Sequence, residues 1–214
     1  MNTHTLSRLS LVTVLAVTLV ACNATTTSTV KQQRATPARI EIQEAVGFTI
    51  TEEARVSGDA RVDYDRALGL LEQGRLEEGV AVLETVAGQV PGLSAPQIDL
   101  GVAYHRLEDL EAAERHLVKA LEINPRHPIA LNELGIVYRK TARFAEARQN
   151  YEAALAVYPG YHYARRNLAI LCDLYLADMD CALENYEAYM ATVHADDEAS
   201  MWLRDLRYRM GTQE

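Results

Sequence analysis

A period of 34 residues constrains the fold of this chain more than any other feature of its sequence. Pro91, Pro125 and Pro159 are 34 residues apart, and Gly101 and Gly135 keep the same interval. The segments LGVAYHRLEDLEAAERHLVKALEINP and LGIVYRKTARFAEARQNYEAALAVYP align over their whole length without a gap. A unit of this length cannot bury its apolar face alone, so successive units are expected to stack into a superhelix.

The repeated positions resemble the tetratricopeptide repeat (TPR), which places Leu-Gly, Tyr, Ala, a bulky residue and Pro at fixed spacing. The second repeat fills the slots with Leu100, Gly101, Tyr104, Ala113, Leu117, Ala120 and Pro125. The third fills them with Leu134, Gly135, Tyr138, Ala147, Tyr151, Ala154 and Pro159. The resemblance implies that each repeat is a hairpin of two antiparallel helices, A and B, with the small residues at their crossing.

We therefore predict an all-α fold: an α-α superhelix of about four TPR hairpins followed by a capping helix. The expected TPR domain spans residues 60–195, with repeats at 60–93, 94–127, 128–161 and 162–195, and the capping helix spans 196–210. The outer two repeats match the pattern less well, and the YLADMD turn of the fourth contains one extra residue. Terminal repeats commonly deviate because one of their sides faces solvent.

The N-terminal region has the pattern of a secretion signal. Residues 9–21 are thirteen largely apolar residues, whereas a membrane-spanning helix needs about 20 and a signal-peptide core needs fewer. The residues Leu-Val-Ala-Cys that end at Cys22 resemble the bacterial lipobox. The resemblance implies that 1–21 is a removed signal peptide and that Cys22 is lipidated, which would anchor the chain to a membrane. A plain signal peptide with a chance cysteine is the alternative.

The lipoprotein resemblance also implies a location. Asn23 follows the cysteine, and in the lipoprotein sorting pattern a residue other than Asp at this place favours the outer membrane. We therefore expect the chain in a bacterial cell envelope, held by its lipid anchor only and facing the periplasm.

Two segments separate the signal from the repeats. Residues 22–39 are polar and Thr-rich, and we expect a flexible tether because they offer too little apolar surface to fold. In residues 40–59, Ile40, Ile42, Phe48 and Ile50 lie at even spacing, as on one face of an extended strand. This segment is either an arm over the first hairpin or a linker.

The remaining composition argues against several functions. The chain has 21 Lys and Arg against 30 Asp and Glu, a formal net charge of −9, which is unsuited to nucleic acid as the main partner. It has no G-x-S-x-G, H-E-x-x-H or phosphate-loop motif, so we predict no enzyme activity and no cofactor. We make no prediction of the oligomeric state.

Two cysteines remain after the predicted lipidation site. Cys172 and Cys181 are nine residues apart and flank the turn of the fourth repeat. In an oxidising periplasm they are candidates for a disulfide. Two free buried thiols are an alternative, and so is a metal site with His162 or His194, although the spacing matches no familiar zinc pattern. We predict no metal.

The TPR resemblance also implies a concave groove lined by the A helices. The candidate peptide-binding residues are Asp99, Val102, His105, Arg106, Asn132, Ile136, Arg139, Lys140, Arg166, Asn167 and Ile170. They combine an apolar stripe with a group of basic side chains, which suits a peptide with apolar anchors and acidic groups. Ordinary solvated helix faces are the alternative. The ninth repeat position lacks the Asn of a carboxylate clamp, so an EEVD-type tail is not expected.

From these features we predict a membrane-anchored periplasmic TPR scaffold for protein–protein interaction in an envelope assembly or energy-transduction complex. In architecture the chain resembles the TPR lipoproteins attached to TonB-type systems. The alternatives are an accessory lipoprotein that regulates a cell-wall enzyme, a pilotin-like factor for pilus or secretin assembly, and a purely structural spacer.

Overall fold

The structure, a computed structural model, describes residues 39–43, 47–52 and 56–211. The predicted signal peptide 1–21, the predicted lipidation site Cys22 and the tether up to residue 38 lie outside these residues. Within them, no helix combines the length and the apolar character that crossing a bilayer requires.

Antiparallel helix pairs make up nearly all of the described chain, as predicted. Two strands come first, β1 (Arg39–Gln43) and β2 (Gly47–Thr51). The helices are α1 (Gly58–Glu72), α2 (Leu76–Gln89), α3 (Ala95–Arg106), α4 (Leu110–Ile123), α5 (Pro128–Lys140), α6 (Phe144–Val157), α7 (His162–Leu171), α8 (Met179–Thr192) and α9 (Asp197–Arg209). Helices α1 to α8 form four A–B hairpins that stack in sequence order, which confirms the all-α superhelix.

Small residues allow each hairpin to close. A Cβ atom on Gly101 would lie 2.5 Å from Leu117 Cγ, and one on Gly135 would lie 2.5 Å from Tyr151 Cε1. In the first hairpin the glycine has moved to the B helix, where a Cβ on Gly79 would lie 2.5 Å from a methyl carbon of Leu71. The close approach is therefore preserved even where the sequence pattern is weakest.

The A–B turns follow one geometry with a single exception. Each ends with a residue in the left-handed region, namely Gly74, Glu108, Ala142 and Ala177. In the first three turns the next N–H donates to a carbonyl five residues earlier, at 2.8–3.0 Å, as in a Schellman motif. In the fourth, Asp178 N–H donates to Cys172 O, six residues earlier (2.9 Å), through a π-helical turn at Cys172–Leu176. The predicted extra residue is thus accommodated by a π-turn.

Strands β1 and β2 form an antiparallel β-hairpin in which Ile40 pairs with Ile50 and Ile42 with Phe48. Phe48 makes edge contacts with Tyr158 and Tyr161, with ring centroids 5.3 and 5.6 Å apart. The alternating apolar residues therefore do correspond to strands. The strands form an arm, one of the two alternatives, but Phe48 contacts the turn between the third and fourth repeats rather than the first hairpin. Tyr158 and Tyr161 provide the aromatic site that the Phe48 ring contacts there.

Helix α9 closes the stack, in agreement with the predicted capping helix. Ala199, Leu203 and Leu206 are buried, and the Trp202 ring lies 6.1 Å from that of Tyr186 on α8. The side-chain carboxylate of Asp196 accepts a hydrogen bond from Ala199 N–H (2.9 Å) and so caps the helix.

Candidate interaction groove and its edges

The A helices α1, α3, α5 and α7 present the apolar stripe at the ninth position of each repeat. Val102 and Ile136 are half-buried, so part of each side chain faces solvent. Ile170 is only 8% exposed, and the stripe therefore offers little surface at its C-terminal end. We call Val102 and Ile136 the groove floor.

Polar residues of the groove bond to one another between neighbouring A helices. The Tyr64 hydroxyl donates to the Asp99 carboxylate, and Asn167 Nδ2 donates to Asn132 Oδ1 (2.9 Å). Burial raises the pKa of Asp99, and the hydrogen bond from Tyr64 opposes that shift. Three predicted groove residues, Asp99, Asn132 and Asn167, thus hold adjacent repeats in register. The pattern did not indicate Tyr64 as their partner.

The carboxyl group of Glu133 lies beside the Asn132–Asn167 pair and is largely buried. Asn132 Nδ2 also donates to Glu133 Oε1 (3.0 Å), and burial raises the pKa of Glu133.

Four basic side chains lie at the C-terminal ends of α3 and α5: His105, Arg106, Arg139 and Lys140. Burial and the nearby charges of Lys140 and Arg139 lower the pKa of His105, so this imidazole is neutral at neutral pH. Cations near a helix C-terminus interact favourably with the helix dipole and so stabilise the helix. These residues therefore have a structural role besides any binding role.

Three of these cations lack a carboxylate partner. Across the described part of the chain, no Asp or Glu oxygen lies within 4.0 Å of Arg106, Arg139 or Lys140. Arg106 Nη1 instead donates to the backbone oxygen of Leu71 (3.2 Å). By contrast, Arg143 at the same edge forms ion pairs with Glu114 (2.7 Å) and Glu146. Arg106, Arg139 and Lys140 thus form a group of cations without carboxylate partners in a chain with a net charge of −9.

Arg166 belongs to the junction with the capping helix. Its Nη2 lies 3.0 Å from a Glu198 oxygen, and its guanidinium carbon lies 5.0 Å from the centre of the Trp202 ring. Arg166 therefore pairs with side chains of α9 and is less available to a ligand in the groove.

The turn of the fourth repeat is held by a disulfide between Cys172 and Cys181, with sulfur atoms 2.05 Å apart. These sulfurs and an Asp178 oxygen lie within 4.8 Å of one another, but bonded sulfurs cannot act as thiolate ligands. The ring of His162, an alternative ligand in the sequence analysis, lies 4.1 Å from that of Tyr163.

The two edges of the superhelix differ in what covers them. Each hairpin has its A–B turn at one end and its link to the next hairpin at the other, about 20 Å away for helices of this length. The β-hairpin and Glu52 lie on the edge made by the links, which we call the closed edge. The A–B turns form the opposite edge, which we call the open edge.

Glu52 seals the closed edge with hydrogen bonds. Its carboxylate accepts from the backbone N–H of Ser94 (2.7 Å), from the Ser94 hydroxyl and from Asn124 Nδ2 (3.3 Å). Ser94 and Asn124 are both buried. Sequence analysis did not indicate this contact, because 42 residues separate Glu52 from Ser94.

Comparison with known proteins agrees with this geometry. Residues 93–160 match the family described as tetratricopeptide repeat. The anaphase-promoting complex subunit CDC16 of Saccharomyces cerevisiae is 31% identical over 85 residues, which is 40% of this chain and 10% of that protein. This chain thus spans a small fraction of that relative's length, and the likeness concerns its repeats.

Solved structures show the same fold over more of the chain. MamA of Desulfovibrio magneticus RS-1, from residue 41 to its end, matches with a TM-score of 0.66 and 20% identity, covering 74% of this chain and 89% of that one. PilF of Pseudomonas aeruginosa matches with a TM-score of 0.65 and 22% identity, covering 71% and 68%. The chain therefore contains tetratricopeptide repeats and has the TPR superhelical fold.

Proposed function

We propose that this chain is a lipid-anchored, periplasm-facing TPR scaffold that binds a protein partner through its concave groove. The observation that supports this proposal best is the half-buried apolar floor beside cations without carboxylate partners. TPR superhelices use their concave surface for binding. An apolar floor beside positive charge suits a segment with apolar anchors and acidic groups.

The location of the scaffold is proposed from the N-terminal pattern. Lipidation of Cys22, followed by Asn23, would place the repeats at the outer membrane and facing the periplasm. Cys22→Ser should abolish membrane partitioning of the chain, measured by fractionation and detergent phase separation. If the processed variant partitions into membranes as the wild type does, the proposal of a lipid anchor at Cys22 is wrong.

The partner would be a component of an envelope assembly or energy-transduction complex. A crosslinked pull-down of the tagged full-length chain from its native envelope tests the groove. Ile136→Arg should lose the partner because it places a charge on the floor. Lys119→Glu, an exposed substitution on a B helix, is the control and should retain it. Both variants should melt near the wild-type temperature. A partner list unchanged by Ile136→Arg would remove the groove from the proposal.

The identity of the captured partner separates the candidate functions. A TonB-associated motor protein would support energy transduction, a peptidoglycan enzyme would support an accessory role in the cell wall, and a secretin would support a pilotin-like role. A structural spacer predicts that floor substitutions have no effect on any partner.

A further inference from the structure

The open edge exposes apolar side chains at the fourth repeat. Leu174 is 67% exposed and Tyr175 is 44% exposed. Both lie in the π-turn, which contains one residue more than the other A–B turns and is tied to α8 by the Cys172–Cys181 disulfide. Short π-helical insertions often occur at functional sites.

Tyr175 extends this apolar surface onto the third repeat. Its ring centroid lies 4.9 Å from that of Phe144, the first residue of α6. The guanidinium carbon of Arg139 lies 5.8 Å from the centre of the Tyr175 ring. An aromatic pair and a cation therefore form one continuous surface across two repeats.

The charge of this surface is positive. Arg139 and Lys140 have no carboxylate within 4.0 Å among the residues that the structure describes. Of the three carboxylates in and next to the π-turn, Asp173 is paired with Arg209 (2.6 Å) and Asp178 with Arg148 (2.9 Å), whereas Asp180 is exposed. An incoming segment would therefore meet two uncompensated cations next to exposed apolar side chains.

From these contacts we infer a second docking surface, the open-edge patch, formed by Arg139, Lys140, Phe144, Leu174 and Tyr175. Its occupant is an acidic protein segment that bears a bulky apolar anchor beside its carboxylates. Charge complementarity selects this chemistry, since apolar side chains alone would accept many partners. The inference rests on the proposed function in taking the partner to be a protein. The patch shares Arg139 and Lys140 with the groove and extends the binding surface from them onto the open edge.

Fluorescence anisotropy with a defined probe tests the patch. The probe is a fluorescein-labelled peptide in which Glu and Asp alternate with Leu and Trp. Two matched peptides have Lys in place of the acids or Ser in place of the apolar anchors. The purified full-length chain should bind the first peptide and neither of the others. Binding should weaken as salt is raised, because exposed charge interactions are screened.

Variants then locate the binding site. Arg139→Glu with Lys140→Glu should weaken binding about tenfold or more, and Leu174→Ser with Tyr175→Ser should weaken it similarly. Lys119→Glu is the charge-reversal control and should bind normally. The Leu174 and Tyr175 side chains are exposed, so the second pair should also melt as the wild type does.

Each other result overturns the inference. If the acidic peptide does not bind, or binds patch variants as it binds the wild type, the patch is not a docking site. If Ile136→Arg alone abolishes binding, the groove function stands and the patch fails. If sedimentation shows that the chain self-associates and that only patch variants are monomeric, the occupant is a second copy of this chain and the acidic partner is wrong.

Discussion

The closed edge and the open edge are built from the same repeats but differ in the burial and bonding of their side chains. On the closed edge, Tyr161 is 7% exposed and packs against Phe48 of the arm, and the polar groups of Ser94 and Asn124 bond to Glu52. On the open edge, Tyr175 is 44% exposed and Lys140 is exposed and without a carboxylate partner in the described chain. The closed edge is therefore packed against the arm, whereas the open edge leaves Tyr175 and Lys140 available for binding although the disulfide holds its fourth turn.

Truncating one tyrosine on each edge tests this contrast most strongly. Tyr161→Ala should destabilise the chain by about 3–5 kcal/mol, because it leaves a cavity under the arm. Tyr175→Ala should cost less than about 1 kcal/mol, because its ring is largely solvated. Denaturant unfolding of both variants gives the two values. Equal losses would mean that the edges do not differ in the way the structure indicates.

The closed edge should also be sensitive to pH through His127. Its ring Nδ1 accepts a hydrogen bond from Ala130 N–H (3.4 Å) at the start of α5, which requires the neutral ring. Burial lowers the pKa of His127 from 6.5 to about 4. The folded state then binds fewer protons than the unfolded state between these values, so stability should fall as pH decreases from 6.5 to 4.

The loss over this range should be about 3 kcal/mol if His127 acts alone. The free energy of unfolding, measured at several pH values across this range, should show the loss as a slope against pH. His127→Asn retains a capping acceptor without the titration, and it should flatten the slope. A slope that is unchanged in this variant would assign the pH dependence to other groups.

Removal of the disulfide should affect the open edge. The double variant Cys172→Ala, Cys181→Ala should be less stable by about 2–3 kcal/mol, because the bond closes a short loop in the unfolded chain. Thermal melting with and without reductant gives the comparison. Reductant should lower the melting temperature of the wild type only. If it lowers both equally, the bond contributes nothing to the turn.

A smaller loss than that of Tyr161→Ala is expected when the Glu52 carboxylate on the closed edge is removed. Glu52→Ala should cost about 1–3 kcal/mol, because it leaves the buried Ser94 N–H without an acceptor. Glu52→Gln keeps one acceptor oxygen and should lose less. Proteolysis of the arm should follow the same order. Thr51→Ser, at an exposed position on β2, is the control. An arm that stays protected in Glu52→Ala would show that the aromatic contacts alone hold it.

Sequence analysis predicted the parts of the molecule that depend on local pattern. The 34-residue period gave the paired helices, and Gly101 and Gly135 indicated where they cross. The extra residue in the fourth turn was also visible, because the repeat supplies a register against which an insertion shows. Each of these features is formed within one repeat, and its position can be read by comparison with the next repeat.

The features that escaped prediction depend on distant pairs. Glu52 meets Ser94 across 42 residues, and Asn132 meets Asn167 across 35. A list of groove positions cannot tell which polar side chains bond to one another and which remain available. For this reason the prediction treated Arg139 and Arg166 alike, although Arg166 is paired with Glu198 and Arg139 has no carboxylate partner in the described residues.

Hydrogen exchange of the full-length chain, alone and in the complex isolated from its envelope, tests whether the partner binds at the open edge. The partner should increase protection at the C-terminal end of α5 and in the π-turn around Tyr175. Protection of the arm and of Ser94 should be high and equal in both samples. Increased protection at the arm, with no change near Arg139 or Tyr175, would contradict the assignment of a closed edge for stability and an open edge for binding.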